Sequence, residues 1–248
     1  MSGKIAWEKL PVVPDLPENQ VHIWRVSLAQ PAESLPGYSH DLSSDELERA
    51  ARFHFERDRR RHTVSHSCLR RLLGAYLGVQ HSSIQFEIAE HGKPHLGGGL
   101  VGSNLNFNLA HSGEIALVGF CRGVELGVDI EQLHAMPDML QVAARFFSKY
   151  EQAQLAQIPQ DQLARAFFKC WTCKEAFIKN LGDGLYYPLD QFDVNLHPNQ
   201  PAHLLMVASD PDEASHWELV SFPVEEDYVG ALAVRGIPSL QVRFLEKL

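Results

Sequence analysis

The chain has 248 residues, 45% hydrophobic and 21% charged, enough to bury a large core as one domain or as two modest halves. Its formal net charge of −9 argues against a general nucleic-acid binder, although a local basic patch overrides a total. Met1 to Leu16 holds no uninterrupted apolar run of signal-peptide length and no segment approaches a membrane span, so a cytoplasmic protein with no membrane contact is expected.

The N-terminal segment is proline-rich (Pro11, Pro14, Pro17, Pro31, Pro36), with one strand expected at Val21–Leu28. Ser43 and Glu46 have the capping-box spacing and open a helix reaching about Phe53. A longer helix is predicted from Asp58 to Leu77, where Val64, Cys68, Leu72 and Tyr76 recur every fourth residue. Ile84–Ile88 alternates as a strand and ends in the turn His91-Gly92-Lys93-Pro94, and Gly97-Gly98-Gly99 reads as a flexible loop. Leu105–Leu109 alternates again before a turn at His111-Ser112-Gly113. Ile115–Phe120 and Val124–Ile130 then read as a hairpin about Cys121-Arg122-Gly123.

Beyond residue 120 the order of elements repeats. Ser148 and Glu151 form a second capping box, Gln162–Asn180 is a long helix, and Gly182-Asp183-Gly184 stops it. Strands are expected at Phe192–Leu196, His203–Val207, Trp217–Phe222, Val229–Val234 and Gln241–Phe244. The expected fold class is therefore α+β, built from two similar halves, 1–120 and 121–248, with a site in the cleft between them.

Two segments place acids where a core wants apolar groups. In Gly127-Val128-Asp129-Ile130-Glu131, strand alternation puts Val124, Leu126, Val128 and Ile130 on one face, and Asp129 and Glu131 on the other. A solvated strand face explains that alternation, but Gly127 beside the acids marks close approach by a ligand or another backbone. In the second segment, at about 100° per residue, Glu175 falls amid the apolar stripe of Ala164, Phe167, Phe168, Trp171 and Ile178. An ion pair with Lys179, one turn on, would account for Glu175 while leaving carboxylate lone pairs unsatisfied. Taken together, the three carboxylates suit a hard divalent ion that keeps phosphate oxygens among its ligands.

The N-terminal half gathers Arg49, Arg52, Arg57, Arg59, Arg60, Arg61, Arg70 and Arg71, most of them solvated or paired with Glu46, Glu48, Glu56 and Asp58. Some, with Lys93 and His111 in glycine-adjacent turns, can hold phosphates by charge-assisted hydrogen bonds. His62 and His66 have a zinc-ligand spacing but lack an evident third ligand. Cys170-Trp171-Thr172-Cys173 has redox spacing but lies inside a helix instead of at its N-terminus, so it reads as structural.

These segments resemble the Sfp-type 4′-phosphopantetheinyl transferases. Gly127–Glu131 is similar to that family's (I/V)-G-(I/V)-D-x-E element. Phe146-Phe147-Ser148-Lys149-Tyr150-Glu151 followed by Trp171–Lys179 is similar to its F-x-x-x-E … W-[ST]-x-K-E-[AS]-x-x-K element, continued by Gly182, Gly184 and Leu185. Gly92-Lys93-Pro94 and Phe107-Asn108-Leu109-Ala110-His111-Ser112 fall at family-like positions, and the likeness spans roughly residues 40 to 235. In style the chain resembles the longer, stand-alone members serving secondary-metabolite and lipid synthases.

The resemblance implies a pseudo-twofold pair of α+β halves with coenzyme A, as substrate, and Mg²⁺ in the cleft. It implies transfer of the 4′-phosphopantetheine arm to a serine of an acyl or peptidyl carrier protein, with release of 3′,5′-ADP. Asp129, Glu131 and Glu175 would hold Mg²⁺, Glu175 would also take the serine proton, and Lys179 would meet the departing nucleotide. Arg49, His62, Lys93 and His111 match positions that contact the nucleotide or its 3′-phosphate. Ala110 stands where a phosphate-binding Ser is frequent and Glu46 where relatives carry a Lys, which implies a looser grip or one shared with nearby arginines. A monomer is expected at this length. The competing readings are another Mg²⁺-dependent phosphotransferase or nuclease on the same acids, and a binding module using the Arg49–Arg71 stretch on a polyanion.

Overall fold

The computed structural model describes residues 5–182, 187–237 and 239–246, so Asp183, Gly184 and Leu185 of the expected helix stop and motif lie outside the described residues. The chain opens with β1 (Glu8–Lys9), β2 (Gln20–Ser27), α1 (Leu35–Ser39) and α2 (Ser44–Ala51). The start of α2 is set by the predicted capping box: the Ser43 amide donates to Glu46 Oε2 at 2.8 Å and the Glu46 amide to Ser43 Oγ at 3.4 Å. Next come α3 (Glu56–Leu77), ended by Gly78 in the left-handed region, and the small hairpin β3 (Phe86–Ile88) and β4 (Pro94–Leu96). The triple glycine forms a short 3₁₀ turn at Gly98–Leu100.

Then follow β5 (Leu105–Ser112), β6 (Ile115–Arg122) and β7 (Leu126–Gln132), with α4 (Met139–Phe146), α5 (Lys149–Leu155) and α6 (Leu163–Leu181). The remaining strands are β8 (Phe192–Val194), β9 (Leu204–Val207), β10 (Trp217–Glu225), β11 (Tyr228–Arg235) and β12 (Gln241–Glu246). They form a five-stranded sheet in the order β1-β12-β2-β6-β5, a three-stranded sheet β10-β11-β7, and two small hairpins.

The expected hairpin of Ile115–Phe120 with Val124–Ile130 does not form. β6 pairs with β5 and β2, whereas β7 pairs with β11 in the other sheet. The reason lies one turn earlier: strand β5 runs on through Ser112, and Gly113, at φ 53°, closes a tight β5–β6 turn that fills one flank of β6. The chain therefore passes from one sheet to the other between β6 and β7. β12, placed in the second half by chain order, returns to pair parallel with β2 in the first sheet.

Helix α3 covers the outer face of the larger sheet, where Val64, Leu69 and Leu72 pack with Trp24, Val118 and Phe120. Helix α6 covers the smaller sheet through Phe167, Ala176 and Phe177 against Trp217, Ala231 and Ala233. The two sheets meet over Ile23, Leu117, Leu126, Val128, Ile130 and Leu232. The architecture is thus α+β, two helix-backed sheets face to face. Among the described residues no helix is long and apolar enough to cross a membrane.

Candidate active site

The site begins with how closely α6 lies on β7. A side chain at Gly127 would collide with the Ala176 carbonyl oxygen and the Asn180 amide nitrogen, so the glycine admits the helix backbone, not a ligand. Asn180 fixes the contact by donating to the Glu125 and Ala233 carbonyls at 2.8 and 3.1 Å. In that register Glu175 and Lys179, one turn apart, face the acids of β7.

Lys179 Nζ donates to Asp129 Oδ1 at 2.6 Å, so its partner is Asp129 and not Glu175, the alternative raised by helix spacing. Asp129 is 5% exposed, and its second oxygen, Oδ2, is buried with no hydrogen-bond partner. Burial raises the Asp129 carboxyl above the ordinary range, against the pull of Lys179. Glu131 is half-buried; its Oε2 accepts from Ser112 Oγ at 2.9 Å, and burial together with the Asp129 charge raises it. Glu175 is half-buried instead of fully enclosed, and burial, then the Asp129 charge, push it up to about 7. Burial opposes the Lys179 charge, but Asp129, Glu175 and Glu131 outweigh it and hold the ammonium above an ordinary lysine.

Three carboxylates and one lysine thus share a single electrostatic neighbourhood. Among the described residues no set of three His, Cys, Asp or Glu side chains is arranged to hold a metal ion as it stands. The chemistry of the donors nevertheless fits a hard cation, because the orphaned Asp129 Oδ2 is an acceptor that the protein itself leaves unfilled.

The expected nucleotide contacts divide. His111, at the exposed end of β5, is pushed down by desolvation of its ring and by the charges of Arg61 and Lys179, so it lies near Lys179. His62, buried on α3, donates from Nε2 to the Glu46 carbonyl at 3.3 Å and is lowered by burial first. Arg49 is exposed on α2, and its charge reaches both His62 and His66. Lys93 is engaged elsewhere: Nζ donates to Glu125 Oε2 at 2.6 Å, the Asn180 carbonyl at 2.9 Å and the Leu126 carbonyl at 3.3 Å, at the opposite end of β7.

Ala110 turns its methyl into the core between the sheets, alongside Val128 and Ile130. The His62 and His66 rings meet tilted, with centroids 3.9 Å apart, and burial pushes His66 down to about 3. The arginines pair as expected with Glu46, Glu48, Glu56 and Asp58. Further pairs not foreseen are Arg60 and Arg61 with Glu114, and Arg71 with Asp41. Cys170 and Cys173 are free and fully buried; burial raises both thiols, Cys173 to about 12, as a structural role requires.

Two features escaped the sequence reading. Lys174 and Glu151 form a fully buried ion pair at 2.8 Å, a partnership that neither the capping box nor the F-x-x-x-E element indicates. Ser112, read as a turn residue, holds Glu131. Its place beside His111 in the Phe107–Ser112 segment was the available signal.

The family model described as the 4′-phosphopantetheinyl transferase superfamily matches residues 125–233, and one described as 4′-phosphopantetheinyl transferase, N-terminal, matches residues 29–121. The chain is 39% identical to the 4′-phosphopantetheinyl transferase HetI of Nostoc sp. strain PCC 7120, over 92% of this chain and 93% of that protein. It is 33% identical to a putative 4′-phosphopantetheinyl transferase of Synechocystis sp. strain PCC 6803, over 84% of this chain and 82% of that protein. Against the 4′-phosphopantetheinyl transferase Sfp of Bacillus subtilis strain 168 it is 30% identical, over 75% of this chain and 79% of that protein.

Proposed function

The chain belongs to the 4′-phosphopantetheinyl transferase superfamily, Sfp type, and from that premise we propose that Asp129, Glu131, Glu175 and Lys179 are its reaction centre. It is a transferase that moves the 4′-phosphopantetheine arm of coenzyme A to a carrier protein. The observation that carries the site assignment is the buried, unpartnered Asp129 Oδ2 beside two further carboxylates.

In the reaction a serine hydroxyl of the carrier attacks the phosphorus bearing the pantetheine arm, and the bond from that phosphorus to 3′,5′-ADP breaks. Glu175, facing Asp129 and Glu131 from α6, would take the serine proton as general base. Lys179, kept charged by its acidic neighbours, meets the negative charge on the departing nucleotide. Asp129 Oδ2, Glu131 and Glu175 would hold Mg²⁺, which when bound draws charge from the pyrophosphate and orients it. Asp129 also anchors Lys179 through its other oxygen, so both charges are positioned from one residue.

For the nucleotide, His111 is the flank next to Lys179, with His62 and Arg49 beyond it. Lys93 would exchange Glu125 for a phosphate. We assign coenzyme A binding to the 1–120 half and the acids to the 121–248 half, and expect a cytoplasmic monomer.

The test is to incubate the protein with coenzyme A, Mg²⁺ and an apo carrier protein and weigh the carrier. Wild type adds the arm, whereas Glu175→Gln and Asp129→Asn do not, although both fold. Full activity in either variant removes that residue from the centre.

A further inference from the structure

The two sheets are joined at a seam where the face of β5 meets the free edge of β7. No strand ladder pairs them, so the edge groups of β7 need other partners. Alternate side chains of β5 supply them. Asn106 Nδ2 donates to the Val124 carbonyl, just before β7, at 2.8 Å, and Asn108 Oδ1 accepts from the Val128 amide at 2.9 Å. Ser112 Oγ accepts from the Gln132 amide at 3.1 Å. These bonds bracket the segment carrying Asp129 and Glu131.

Ser112 does more than close the edge. Having accepted from Gln132, its hydroxyl is oriented to donate, and it donates to Glu131 Oε2 at 2.9 Å. The serine itself is pinned by the turn that follows. A side chain at Gly113 would meet the Tyr228 hydroxyl and the Gln132 side-chain amide, and the Glu114 amide donates to that hydroxyl at 3.3 Å. We propose that Ser112 is a positioning residue for Glu131: from the opposite half of the molecule it takes one carboxylate oxygen and leaves Oε1 presented to the cation. The inference rests on the reading of Glu131 as a metal ligand. Removal of such an outer partner costs a metal site about tenfold or more in affinity.

The test titrates Mn²⁺, a spectroscopic stand-in for Mg²⁺, into the protein with coenzyme A and follows free Mn²⁺ by electron paramagnetic resonance. Ser112→Ala should weaken Mn²⁺ about tenfold, and Ser112→Cys, a poor donor of similar size, should repeat the loss. Ser112→Thr should bind like wild type, because it keeps the hydroxyl. The Mg²⁺ concentration for half-maximal carrier modification should rise in parallel for Ser112→Ala, with kcat recovered at saturating Mg²⁺. Wild-type Mn²⁺ affinity in Ser112→Ala and Ser112→Cys, with a clear loss in Glu131→Gln, overturns the positioning role alone. Wild-type affinity in Glu131→Gln as well overturns both this role and the metal reading beneath it.

Discussion

Helix α6 carries two lysine–carboxylate pairs on different faces. Lys174 and Glu151 are both 0% exposed and 2.8 Å apart. Lys174 also donates to the Leu189 and Phe192 carbonyls at 2.7 and 2.6 Å, which uses all three ammonium protons. Glu151 accepts from the Ser148 and Val194 amides, so neither of its oxygens is left without a donor. Lys179, five residues further along the helix, stands 2.6 Å from Asp129, yet Asp129 keeps one buried oxygen with no donor and has Glu131 and Glu175 as like-charged neighbours. A pair with every oxygen and every ammonium proton answered holds α6 in place. A pair with capacity left over is where a ligand can enter.

Breaking the saturated pair gives the largest effect on stability. Lys174→Met leaves Glu151 without its counter-ion in the core and should cost about 3–5 kcal/mol in chemical denaturation. Activity per folded molecule should persist at saturating substrate. Glu175→Gln reverses the pattern: carrier modification, read by mass spectrometry, should fall by at least about 10²-fold. Stability at neutral pH should not drop, because the change relieves repulsion with Asp129 and Glu131. If Lys174→Met abolished turnover in the folded protein, or Glu175→Gln spared it, the two faces of α6 would lose their separate roles.

Gly127→Ala sharpens the contrast from the backbone. The added methyl would drive the Ala176–Asn180 turn away from β7 while leaving Lys174 seated. Overpacking of this kind costs about 1–3 kcal/mol, and turnover should fall because Glu175 and Lys179 move with the turn.

What could be read in the sequence follows the range of each interaction. Both capping boxes were legible because Ser43–Glu46 and Ser148–Glu151 are closed by neighbours. The acids of β7 and Glu175 were legible because a carboxylate interrupts an apolar pattern wherever its partner lies. Strand partners were not: nothing local in Ile115–Arg122 says that His22–Ser27 flanks it, so the supposed β6–β7 hairpin failed and the return of β12 to β2 went unseen. Glu151 showed only its local half, since its other oxygen reaches the Val194 amide and Lys174. Lys93 suggested a phosphate ligand from its glycine-adjacent turn, but nothing in the sequence pointed to the Leu126 and Asn180 carbonyls, distant along the chain, that also receive its ammonium.

The mildest probe leaves wild type intact and varies only pH. Glu175 is held at about 7 in the folded protein against an ordinary 4.5, chiefly by burial and then by Asp129. Between those values the folded state binds more protons than the unfolded state, so this group's contribution makes stability fall as pH rises from about 4.5 to about 7 and level off above. Glu213, held near 2 by Arg235, has the opposite sign and acts below 4.5, so the two windows do not overlap. Asp129, Glu131 and Glu151 are also raised but are common to wild type and Glu175→Gln. The stability gap between these two proteins, measured by urea denaturation, should therefore shift in favour of the variant across pH 4.5–7 and stay constant above. Mg²⁺ with coenzyme A should shrink that shift by favouring the charged carboxylate. A gap that does not change with pH would mean that Glu175 titrates like a solvated acid, and the poised face of α6 would be no different from ordinary surface.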